Sequence, residues 1–348
     1  MFAKIFVTLR AETLSPDITP AMTAPLPGIL KFAPVYRTVR WGGSRIADFK
    51  GVAPVGNSIG ESWEVSALPD MLTAVSEGPL EGATLPGLLE VYGSAVMGES
   101  LHSRFGGVFP LLVKFIDAED DLSVQVHPDD NLLQGQGKTE LWYIIDARAG
   151  ATIYSGLNRT LTPEALRRHL SEHTLTDVLA RHYPMSGDVF YLPAGRVHSM
   201  SGGNFVLEIQ QSSDVTYRLW DFDRRDANGQ LRELHVEKAL EAINLNQTDY
   251  GLARPQIIEG AETLVKRTPY FTVTALKISK SQHVNTGADN SFRIVVAVDG
   301  AGVITADDGT EVVLRRGQTA LVPAATKFID IRSTETAAPL KLITAFVE

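Results

Sequence analysis

Four residues could together hold a divalent metal ion. Gln125 and His127 stand two apart in LSVQVHPDD, and Lys138 and Glu140 stand two apart in GKTELWY. On an extended strand, residues two apart put their side chains on one face. His198 follows the Pro-Ala-Gly turn of LPAGRVHS, at the start of another strand-like run. One amide oxygen, two imidazoles and a carboxylate make a mixed nitrogen and oxygen site, with room left for water or substrate. Two histidines and a carboxylate suit zinc (Zn2+), and the amide oxygen keeps manganese and iron open. Each residue alone has a plainer reading: a polar surface pair, a turn histidine, a solvated glutamate at a strand start. Their co-occurrence, in segments that one β-barrel would converge, favours the metal.

Other charges lie in apolar surroundings. Lys114 interrupts PLLVKFI and Glu208 interrupts FVLEIQQ. A buried charge costs several kcal/mol unless it is paired or used, so each residue either faces solvent or belongs to a site. Strand alternation leaves both faces open. Asp214 and Arg218, in SSDVTYRLWD, are either pocket groups or a surface ion pair worth about 0–1 kcal/mol.

The elements that must position these residues are mostly strands. From Leu30 onward, short runs rich in Val, Ile, Phe, Tyr and Thr alternate with Gly, Pro, Asn and Asp, as in a sandwich or barrel. Helices are expected at LPGLLEVYGSAVM (85–97), over 162–183 with Thr162, Pro163 and Glu164 as its start, and at LHVEKALEAIN (234–244). The chain also repeats itself. GDVFYLPAGRVH (187–198) aligns without a gap with GQTALVPAATKF (317–328), and ELWYIIDA (140–147) aligns with RIVVAVDG (293–300). Arg293 stands opposite Glu140 and Phe328 opposite His198, so one copy carries the ligand types and the other has lost them. The expected organisation is a poorly ordered extension over 1–28, a metal-binding module over 29–250 with a helical insertion at about 159–184, and a metal-free module over 251–348.

Bulk properties narrow the function. The 348 residues carry 32 Lys and Arg against 41 Asp and Glu, a net charge of −9. That argues against nucleic acid but leaves room for a locally positive pocket that takes a small anion. With no cysteine, disulfides, thiolate catalysis and Cys-ligated zinc are excluded. No apolar run reaches the length of about 18 residues needed for a membrane helix. The first residues faintly resemble a signal peptide, but Arg10 and Glu12 interrupt the apolar stretch, so the expectation is a cytoplasmic protein, with Met22 as an alternative start.

In this order, QVHPDD, GKTELWY, PAG-x-x-H and SSD-x-x-x-R resemble the type I mannose-6-phosphate isomerases of the cupin superfamily, in their short bacterial form. WGG at 41–43 and GESWEVSA at 60–67 match as well, and the likeness covers about residues 30–345. It implies a mainly β fold of two cupin (jelly-roll) barrels with small helical additions. It implies one zinc in the first barrel, held by Gln125, His127, Glu140 and His198. It implies that Lys114, Lys138, Glu208, Asp214 and Arg218 line the pocket, with Trp41 near its mouth. The sequence departs from the eukaryotic members in its reduced helical domain and in Met200, where they carry tyrosine. The implied activity is interconversion of mannose 6-phosphate and fructose 6-phosphate through a cis-enediol. Its partner is a small sugar phosphate, with no nucleic acid or membrane and no oligomeric state specified. Lys114, Lys138 and Arg218 would hold phosphate and developing charge. Lys138, Glu208 or a metal-bound water would move the proton, and Arg218 would place the sugar hydroxyls. The alternatives are another cupin metalloenzyme, such as an iron dioxygenase, and a non-enzymatic sugar-binding or regulatory cupin.

Overall fold

A computed structural model describes residues 24–53, 58–225, 228–335 and 339–348. Among these, the strands assemble into four antiparallel sheets, two of seven strands, one of five and one of four. The two seven-stranded sheets lie back to back. Leu141, Tyr143, Leu207 and Ile209 of one share a core with Ile294, Val296, Ile343 and Ala345 of the other. On its far side each large sheet faces a smaller one. Trp142, Ile144 and Val206 meet Ile153 and Met200 of the five-stranded sheet, and Val295 and Ala297 meet Ile304 and Ile331 of the four-stranded sheet. Each module is thus a two-sheet jelly roll rather than a sheet closed on itself.

Burial follows from this stacking. The strand Glu140–Ala147 is buried on both faces over its first five residues, so no polar–apolar alternation marks it. Glu311–Arg315, in the outer four-stranded sheet, alternates cleanly between exposed and buried. The outer face of the five-stranded sheet is covered by helical segments, with Val124 and Val126 packed against Leu166, Leu175 and Ala239. Because Val124 and Val126 point to that cover, Gln125 between them points into the first module.

Three expectations need correction. The extension expected to be disordered over 1–28 is ordered from residue 24. Ala24 and Leu26 pack on the central core, and the Gly28 amide donates to Asp308 Oδ2 at 2.8 Å. The remainder of that extension, including Met22, lies outside the described residues. The strand Leu30–Ala33, placed by sequence in the first module, pairs in the second module's sheet, Leu30 opposite Leu321. Its Ile29 neighbour fills the second module's core. The helix expected over 162–183 stops early. Thr162 Oγ1 caps Pro163–Ser171 by accepting from the Ala165 amide at 3.2 Å. His173 then adopts a left-handed φ of 57°, and Leu179–His182 becomes a strand beside Ile153–Leu157. Strand pairing there outweighs the weak helix propensity of Thr174, Thr176 and Asp177. The other two expected helices form over Leu85–Met97, which is broken by a kink at Gly93 (φ 31°), and over Val236–Ala242. No helix among the described residues is long and apolar enough to cross a membrane.

Candidate metal centre and its pocket

The first module's inner face gathers the four expected ligands. Gln125, on Val124–Val126, sits directly opposite His198 at the start of His198–Met200. His127 follows the end of the Gln125 strand, and Glu140 opens Glu140–Ala147 opposite Leu192 and Gln210. His127 Nε2 is 3.4 Å from Glu140 Oε2, and His198 Nε2 is 3.2 Å from Glu140 Oε1. One ligand atom from each of these three residues falls within 4.8 Å of the others, and all three are buried.

The histidines are fixed from behind. His127 Nδ1 pairs with the Val215 carbonyl at 2.8 Å, and His198 Nδ1 with the Arg196 carbonyl at 2.9 Å. A carbonyl can only accept, so both Nδ1 atoms carry the proton and both Nε2 lone pairs face Glu140. Burial, then the charge of Lys138, pushes His127 down to about 3, which keeps the ring neutral. Burial pushes the Glu140 carboxyl up, but the charge of Lys138 holds it well below its usual range, as a carboxylate. His127 Nε2 and both Glu140 oxygens have no hydrogen-bond partner among the described residues. Buried acceptors left unpaired are costly, and a cation satisfies all three at once, so the donor set fits a divalent metal. Gln125 places its amide nitrogen 3.2 Å from His198 Nε2 and its oxygen 3.5 Å from Ser123 Oγ. A half-turn of the amide exchanges its ends and presents oxygen to the site.

Beside the ligands lies a cavity of about 110 Å³. Lys114, Lys138, Glu208, Asp214, Arg218 and Trp41 all line it. Lys138 Nζ lies 3.2 Å from Glu140 Oε2. Lys114 and Glu208 are direct cross-strand partners, with Nζ 3.1 Å from Oε1, so both point inward rather than to solvent. The Trp142 indole N–H donates to Glu208 Oε2 at 2.6 Å. Burial, then the nearby Glu140 charge, raises the Glu208 carboxyl above its ordinary value. Burial would lower the Lys114 ammonium, but Glu208 and Glu61 reverse that and raise it, so it stays charged. Arg218 sits opposite Gln125, half-buried, with its Nε unpaired among the described residues. Asp214 is at the rim, where Arg37 reaches it at 3.7 Å.

Several site residues escaped the sequence reading. Glu61 lies 3.9 Å from Lys114 and accepts from the Trp63 indole at 2.8 Å. Arg37 and Arg232 also line the cavity. Glu61 had a signal, a glutamate in the fully buried run ESWEV, while Arg37 and Arg232 had none.

Comparison with known proteins places this geometry. Residues 29–164 match the family model for the phosphomannose isomerase type I catalytic domain, and 260–339 match the mannose-6-phosphate isomerase cupin domain. The chain is similar to the mannose-6-phosphate isomerase ManA of Bacillus subtilis (strain 168), 37% identical over 78% of this chain and 86% of that one. It is also similar to the mannose-6-phosphate isomerase of Streptococcus mutans, 36% identical over 81% and 88%. The crystal structure of the Bacillus subtilis mannose 6-phosphate isomerase superposes with a TM-score of 0.76 at 32% identity, covering 92% of this chain and 99% of that one.

Proposed function

Because the chain belongs to the type I mannose-6-phosphate isomerases, we propose that it interconverts mannose 6-phosphate and fructose 6-phosphate at the His127–Glu140–His198 centre. The observation that carries this reading is the buried cluster of His127, Glu140 and His198, in which His127 Nε2 and both Glu140 oxygens lack a hydrogen bond, beside a carboxyl raised in pKa. The reaction moves a hydrogen between carbons 1 and 2, through a cis-enediol if it travels as a proton. Gln125, His127, Glu140 and His198 would hold a divalent cation, which would supply Lewis acidity to the substrate carbonyl, and zinc suits the set, with manganese or iron as alternatives.

The remaining roles belong to side chains. Glu208 lines the cavity with a raised carboxyl, which suits a group that takes a proton from one carbon and returns it to the next. Lys114 and Trp142 hold its two oxygens and so aim it. Lys138 sets a positive charge beside the reacting carbons, and Arg218 orients the sugar hydroxyls. A charged sugar phosphate does not cross a membrane unaided, which suits work in the cytoplasm.

The test is a coupled assay for fructose 6-phosphate, run on metal-loaded enzyme with mannose 6-phosphate in deuterated water. The reading predicts turnover and some deuterium at carbon 1 of the product. Incorporation stays partial where a shielded base returns its own proton. Absence of turnover overturns the function. Turnover without deuterium at any pH overturns proton transfer in favour of a hydride shift.

A further inference from the structure

Arg196 does not line the cavity beside the ligands, yet its side chain is among the largest that are fully buried. An enclosed guanidinium is costly unless its donors are taken up. Nη1 donates to the Asp249 carbonyl at 2.9 Å and to Ser155 Oγ at 3.4 Å, and Nη2 donates to Asp249 Oδ1 at 2.5 Å. Ser155 Oγ in turn donates to the Tyr250 carbonyl at 2.7 Å. Gly251, at φ 65°, passes so close that a Cβ there would lie 2.9 Å from Nη1. These contacts join Arg196 to the segment 249–251.

The backbone beside that side chain faces the metal ligands. The Arg196 amide closes a turn by donating to the Pro193 carbonyl at 3.0 Å, and the Gly195 amide donates to the His127 carbonyl at 2.9 Å. The Ala194 amide donates at 3.2 Å to Oγ1 of Thr139, the neighbour of Glu140. The Arg196 carbonyl accepts from His198 Nδ1 at 2.9 Å. Three successive residues thus reach His127, His198 and the residue before Glu140.

The second module shows what the turn does not need. Its counterpart over 323–326 has Thr326 where the first has Arg196. It closes in the same way, the Thr326 amide donating to the Pro323 carbonyl at 3.0 Å. Thr326 Oγ1 donates only as far as the Gly28 carbonyl, at 2.9 Å. An arginine is therefore not required to form the turn. What it adds is a long reach to 249–251 from a turn whose other side holds the ligands.

We infer that Arg196 is a positioning residue of the metal centre, its guanidinium pinning the turn to 249–251 so that the turn's backbone holds His127 and His198 in place. Groups that fix a ligand from behind set how well the ligands converge on the ion. This rests on the reading of His127, Glu140 and His198 as metal ligands.

The experiment uses the full chain stripped of metal, as wild type, Arg196→Met, Arg196→Lys, Asp249→Ala and Arg293→Leu. Cobalt(II) is titrated against a competing chelator, its visible absorption is recorded, and the melting temperature of the metal-free protein is measured. Arg196→Met should weaken cobalt binding by about tenfold, the low end for loss of a group that orients a ligand, and should alter the absorption bands. Arg196→Lys keeps the cation and should recover part of the loss. Asp249→Ala removes one exposed anchor, keeps the Asp249 carbonyl, and should act in the same direction by less. Arg293→Leu should lower the melting temperature while leaving cobalt affinity and spectrum as they were, which separates positioning from general stability. A folded Arg196→Met with wild-type affinity and spectrum overturns the inference, as does an equal loss of affinity in Arg293→Leu. Should Arg196→Met not fold, unchanged affinity in both Arg196→Lys and Asp249→Ala overturns it. A wild type that binds no cobalt overturns the ligand reading, and the inference with it.

Discussion

The two jelly rolls carry different chemistry at the same register positions. In the first, Glu140 sits opposite Leu192, and Glu208 sits opposite Lys114. In the second, Arg293 sits opposite Val322, and Thr344 sits opposite Thr274. His198 pairs with Gln125, whereas its counterpart Phe328 pairs with Asn285, and both of those are exposed. The second set is closed on itself. Arg293 donates to Asp289 at 2.6 Å and also pairs with Glu262, while the Thr274 and Thr344 hydroxyls meet at 2.7 Å. The first set leaves His127 Nε2 and both Glu140 oxygens without a hydrogen bond, with Lys138 Nζ in an ion pair 3.2 Å from Glu140 Oε2. The same scaffold thus keeps buried acceptors without hydrogen bonds in one module, whereas in the other the guanidinium and the hydroxyls at matching positions are satisfied by their neighbours.

Glu208→Gln probes the active side of this contrast most severely. The variant keeps the shape of the side chain but cannot take up a proton, and turnover should fall by about 10²–10⁴-fold with metal content unchanged. The pH profile carries the sign. A base whose pKa is raised stays protonated to a higher pH, so wild-type kcat/KM should fall as pH drops through a limb above the ordinary carboxylate range. Burial, the larger cause, acts whether or not Glu140 is neutralised. That limb should vanish in the variant. An unchanged limb would assign the proton to another group, Lys138 or a bound water.

A smaller effect is expected on the silent side. Arg293→Leu leaves Glu262 and Asp289 without their cation. It should cost roughly 2–4 kcal/mol, less than a fully buried pair because both carboxylates keep some solvent. Thermal melting should fall by several degrees while turnover per folded molecule and KM stay as they were. Activity falling in step with a structural change at the first centre would mean that the modules do not act separately.

Much of this contrast was legible in the sequence. Gln125-x-His127, Glu140 and His198 stood out because two-residue spacing and a Pro-Ala-Gly turn are local signals. The gapless repeat placed Arg293 and Phe328 in register with Glu140 and His198, where the strands put them. What local pattern could not give was anything set by sheet stacking. The orientation of Lys114 and Glu208 stayed open because both faces of their strands are buried. The sheet that Leu30–Ala33 joins has no local signal, because its partner lies some 290 positions away, at Ala320 and Leu321. The Trp63 and Trp142 indoles read as core, yet their N–H groups aim Glu61 and Glu208.

The central claim, one metal centre built by the first module alone, is tested most directly by counting metal. Protein purified and dialysed against metal-free buffer, then analysed for bound divalent ions, should hold about one per chain, because one complete ligand set exists among the described residues. The same measurement on His198→Ala should fall close to zero with the fold retained. Two tightly held ions per chain in the wild type, or one ion kept by His198→Ala, would contradict the account.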